Sequence, residues 1–71
     1  MNGWKPLRAL ARDAGLETEA DIREFFLLAD EAYEKPQAKL DELNKLEELT
    51  PMQSALKAYC LQWIAWQKQK K

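Results

Sequence analysis

As a pattern of apolar and polar positions, the chain divides into four stretches of helical period, set apart by proline and glycine. Trp4, Leu7, Leu10, Ala11 and Ala14 recur at spacings of three and four. Pro6 suits a first helical turn because it has no N–H to leave unpaired, and Gly15 suits a left-handed helix end. These features predict a first helix over 4–14. Thr18 with Asp21 three residues on resembles a capping box, and Glu17, Glu19 and Asp21 favour the positive end of a helix dipole. Ile22, Phe25, Phe26, Ala29, Ala32 and Tyr33 then form one stripe, widened by Leu27 and Leu28, which predicts a central core helix over 18–34.

Pro36 disfavours helical geometry at Lys35 and fits the start of a third helix, 36–48. Its leucines, Leu40, Leu43, Leu46 and Leu49, are spaced by three only, so the apolar line drifts by about 60° per step around the axis. Thr50, Pro51 and Gln53 make the sharpest local signal, a capping box with proline at the first helical position, and predict a last helix over 51–68. No stretch alternates with the period of a strand. The expected fold is all-α, one domain over residues 1–71: a small three- to four-helix bundle with a long, aromatic-rich C-terminal helix.

Composition then narrows the means of stabilisation. A chain of 71 residues lies near the lower size limit for a self-supporting core, and it has one cysteine, Cys60, and no histidine. Neither an internal disulfide nor the usual zinc ligand set is available, which leaves packing or a partner. Eleven leucines and seven aromatic residues are more large apolar side chains than so small a core can hide. The N-terminus lacks the apolar run of a secretory signal, and no stretch reaches the roughly 20 apolar residues that cross a bilayer, so the expected location is the cytoplasm.

Charge is uneven although the net value is -1. Residues 1–12 carry Lys5, Arg8 and Arg12 without an acid, all twelve acids fall in residues 13–49, and residues 50–71 carry four lysines and no acid. Acidic middle and basic ends would attract one another within the fold or between copies. If the two ends converged, Lys5, Arg8, Arg12, Lys57, Lys68, Lys70 and Lys71 would make a basic patch for nucleic acid.

Candidate chemistry is sparse. With no histidine, one serine and one cysteine, no nucleophile and base pair is recognisable, so no catalytic residue, cofactor or metal ligand is assigned. Two glycines, Gly3 and Gly15, cannot build a phosphate loop. Adjacent acids such as Asp30 and Glu31 point different ways on a helix and read as a solvated face. The run LARDAGL, with Ala11, Gly15 and Leu16, resembles the first helix and turn of a helix-turn-helix. The segment after it departs from that pattern. Asp21 and Glu24 fall at the inward positions, and Glu17, Glu19, Asp21 and Glu24 would repel phosphates.

The densest feature is AYCLQWIAW, residues 58–66, followed by QKQKK. Met52, Leu56, Tyr59, Trp63 and Trp66 form a seam by fours and threes, while Ala55, Cys60, Leu61 and Ile64 lie beside or behind it. The apolar arc is wider than one neighbouring helix covers. The reading that follows is a non-enzymatic interaction module that binds a protein partner, or itself as a homodimer, through Trp4, Tyr59, Leu61, Trp63 and Trp66. The alternative is a DNA-binding regulator using Lys5, Arg8, Arg12, Lys68, Lys70 and Lys71. A third, minor reading sets Trp63, Trp66 and the terminal lysines on a membrane surface.

Overall fold

The computed structural model describes residues 5–69 and shows the all-α fold, with four helices in chain order: α1 (Leu7–Asp13), α2 (Glu19–Glu34), α3 (Pro36–Asn44) and α4 (Pro51–Gln69). Trp4, Lys70 and Lys71 lie outside the described residues. No helix among the described residues is long and apolar enough to cross a membrane.

The local signals act as sequence chemistry requires. Gly15 has φ 99°, and the amides of Gly15 and Leu16 donate to the carbonyls of Arg12 (3.0 Å) and Ala11 (2.9 Å). That pair of bonds is a Schellman motif, with buried Leu16 packing back into the core. Thr18 Oγ1 accepts from the Asp21 amide at 3.1 Å and opens α2. A single residue, Lys35, closes α2 and opens α3, with Pro36 at the first turn. At α4 the capping box is reciprocal: Gln53 N–H donates to Thr50 Oγ1 at 3.2 Å, and Thr50 N–H donates to Gln53 Oε1 at 3.0 Å.

Two boundaries differ from expectation by more than one residue. Helix α1 begins at Leu7, because Pro6 is extended (φ −65°, ψ 157°) and stands before the helix as its cap. The cause lies in α4: the Gln62 amide group accepts from Lys5 N–H and donates to Lys5 C=O, both at 2.9 Å, so Lys5 has spent its backbone groups on α4. Helix α3 ends at Asn44, short of the expected 48, and its last amides close through Glu42 and Leu43 carbonyls three residues back. The leucine drift explains this. Leu40 and Leu43 are buried, Leu46 has rotated out to 43% exposure, and the chain leaves the helix before half-buried Leu49 reaches the core.

Helix α4 packs against each of the other three helices. Its N-terminal half supplies Ala55, Leu56, Tyr59 and Cys60 to a core completed by Leu10, Ala11, Leu16, Ile22, Phe25, Ala29, Ala32, Leu40 and Leu43. Ala11, Ala29, Ala55 and Cys60 have no exposed surface at all. Such small side chains let helix backbones approach closely, and the large ring of Phe25 fills the space between. Helix α3 runs antiparallel to α4, since Glu34–Ala38 border Ile64, Gln67 and Lys68, whereas Leu43, Lys45 and Leu46 border Gln53.

Substituting Gly15→Ala tests the turn directly. A Cβ there meets nothing within 4 Å, so the whole penalty is the left-handed backbone, and the variant should lose about 1 kcal/mol in urea unfolding with an unchanged m-value.

Candidate partner-binding surface

Cys60 is the last fully buried residue of α4. Beyond it the helix continues for nine residues with half-buried or exposed side chains, among them both tryptophans of the sequence stretch noted above. They are ordered by stacking. Tyr33, near the end of α2, stacks on Trp63 with centroids 5.0 Å apart and planes at 28°, and Trp63 stacks on Trp66 at 4.9 Å and 12°. Three rings thus form a ladder from α2 onto the C-terminal turns of α4. Offset stacking of this kind adds about 0.5–1.5 kcal/mol per pair beyond area burial. Tyr33 remains 54% exposed despite its stack.

Of the five residues expected at an interface, the structure brings two together. Trp63 and Trp66 share one side of α4. Tyr59 is on that side too but is buried in the core. Leu61 is 50% exposed on the other side, about 160° from Tyr59 at 100° per residue. Trp4 lies outside the described residues. Two participants were missed. Periodicity assigns Tyr33 to the core because it closes the α2 stripe, yet it sits one residue from the helix end and is exposed. Gln62, the one polar side chain in the middle of AYCLQWIAW, clamps Lys5.

Two of the basic side chains face acids. Lys5 Nζ is 2.9 Å from Asp13 Oδ2, and Arg8 Nη1 is 3.4 Å from Glu19 Oε1. Arg12 borders Glu17 and Glu19, and Lys68 borders Glu34. Lys5 is docked beside α4, but its charge and that of Arg8 are matched within the α1–α2 hairpin. Lys70 and Lys71 lie outside the described residues. The α1–turn–α2 unit exists as the sequence suggested, and Ile22 and Phe25 supply its inward positions.

Titratable groups near the ladder are perturbed by the core beneath it. Burial, reinforced by Cys60, Tyr33 and Asp30, raises the Tyr59 hydroxyl above its ordinary 10.0. Burial also raises the Cys60 thiol above its ordinary 9.0, against an opposing pull from Lys39. A raised thiol is a poor nucleophile at neutral pH. Among the described residues no group of three metal-ligating side chains comes together. Among the described residues an open groove of about 500 Å³ lies at the α2–α3 turn and is lined by Glu34, Lys35, Pro36, Gln37, Ala38, Ile64, Gln67 and Lys68, without a convergent set of reactive groups. Comparison with protein-family models, curated proteins and solved structures finds no match to this chain.

The raised values set a pH window. Both groups stay protonated in the fold at pH values where the unfolded chain ionises them, so their contribution is whole below about pH 9 and is lost as pH rises through the folded values. The urea midpoint should fall as pH rises past about 9, and that of Tyr59→Phe should fall less over the same rise.

Proposed function

We propose that this chain is a non-enzymatic helical interaction module, which docks on a protein partner or on a second copy through the aromatic side of the α4 end. The observation that carries this reading is the Tyr33–Trp63–Trp66 ladder, which stands past the last buried residue of α4 and keeps accessible ring surface. Tryptophan and tyrosine concentrate binding energy at interfaces because they are large, rigid and amphipathic. Association hides the ring surface that the four-helix core leaves uncovered, and the preformed stack lowers the entropy cost of presenting it.

The nucleic-acid reading has weaker support. It needs free cations on one face, and Lys5 and Arg8 instead face Asp13 and Glu19. Binding to duplex DNA at about 50 mM salt, falling steeply with added salt, would revive it.

A photo-crosslinking residue placed at position 66 tests the docking surface. Irradiation of the purified chain and of a cell extract should give a crosslinked protein adduct or dimer at position 66 and none from the exposed control position Glu47. Equal or absent crosslinking at the two positions contradicts the proposal. Trp66→Ala should weaken the same association about tenfold or more while far-ultraviolet circular dichroism stays near the parent, because the ring lies outside the core.

A further inference from the structure

The two most exposed leucines of the fold have no role in the core or in the ladder. Leu27 is 69% exposed and Leu61 50%. Each lies about 160° from the core line of its helix, as measured from Phe25 and Tyr59 respectively. A lone exposed leucine is ordinary on a protein surface. What sets these two apart is the charge around them. Within about 60° of Leu27 on α2 stand the acids Glu24, Asp30, Glu31 and Glu34, with one cation, Arg23, among them. Within about 40° of Leu61 on α4 stand Lys57 and Lys68, the only charges of that helix. Among the described residues none of these seven side chains is in an ion pair.

We infer that the outer face of α2 in one copy docks antiparallel against the outer face of α4 in a second copy, with Leu27 packed on Leu61. Charge complementarity selects the occupant, since α2 offers acids around an apolar centre and α4 offers lysines around another. It also selects the direction. With the leucines opposed and the helices antiparallel, Glu31 faces Lys57, each four residues and about 6 Å from its leucine, while Arg23 faces the small, neutral Ala65. The parallel arrangement would bring Glu34 to Lys68, each seven residues past its leucine, but would set Arg23 against Lys57, whereas the antiparallel one opposes no like charges at these positions. Because α2 and α4 pack on one another and Leu27 and Leu61 each lie about 160° from the core line, the two leucines point away from each other on any one copy. The contact is therefore heterologous, and copies add head to tail. This surface is separate from the aromatic ladder and does not rest on it.

Light scattering after size exclusion, with reductant and over a concentration series at about 50 mM and about 500 mM salt, reads the association. The expected result is a mass that grows with concentration and shrinks with salt. Leu27→Asp and Leu61→Asp should each give monomers, and their mixture should recover dimers and stop there, because each variant keeps one intact face. Glu31→Lys and Lys57→Glu should each weaken association, and the double exchange in one chain should restore it. These positions are exposed or half-buried, so circular dichroism should stay unchanged. A monomer at every concentration overturns the inference. So does association that survives both leucine variants, or a mixture that stays monomeric. Association lost in Trp66→Ala but retained in Leu27→Asp would assign it to the ladder instead.

Discussion

The structure depends on the burial of one half of one helix. Ala55, Leu56, Tyr59 and Cys60 are the buried residues of α4, the helix that packs against α1, α2 and α3 alike. A chain of this length cannot support a second core layer, so each buried side chain matters. A large apolar side chain is worth roughly 1.5–3 kcal/mol when fully buried. The alanines at the helix crossings matter in the opposite sense, since their smallness is what permits the approach that buries Phe25.

From that constraint the rest of the arrangement follows. Helix α1 is only seven residues long and would not persist alone. It is held at its end by the Schellman turn and before its start by the Gln62 amide, so α4 disciplines even the N-terminal segment. Helix α3 lasts while its drifting leucines still face α4 and stops when they cease to. Past Cys60 no residue of α4 is fully buried: Gln62 still binds Lys5 and Ile64 still packs on the core, while Trp63 stacks on Tyr33 and Trp66 on Trp63.

Much of this was legible in the residues. Proline and glycine positions, together with the Thr18 and Thr50 caps, placed all four helices, because capping and left-handed glycine are local chemistry that a sequence states outright. What was less legible depended on tertiary choices. The start of α1 was misplaced by three residues because the competitor for the Lys5 backbone, Gln62, is 57 residues away. Tyr33 read as core because periodicity records direction and not cover. Leu61 and Trp66 looked like parts of one uncovered patch in a stretch that is apolar nearly all round, and only the direction of the core showed that they face opposite ways. A charge count likewise does not reveal that Lys5 and Arg8 find acids within the same hairpin.

The central claim is that α4 has a core half and a presenting half, divided near Cys60. Residue-resolved amide hydrogen exchange by NMR in dilute, monomeric solution tests it most directly. The account predicts that amides of residues 59 and 60 exchange only with global unfolding, while those of 66–69 exchange through local opening at far lower free energy. Uniform global protection through Gln69 would show that the aromatic end is core in all but exposure, and would contradict the division on which the docking reading stands.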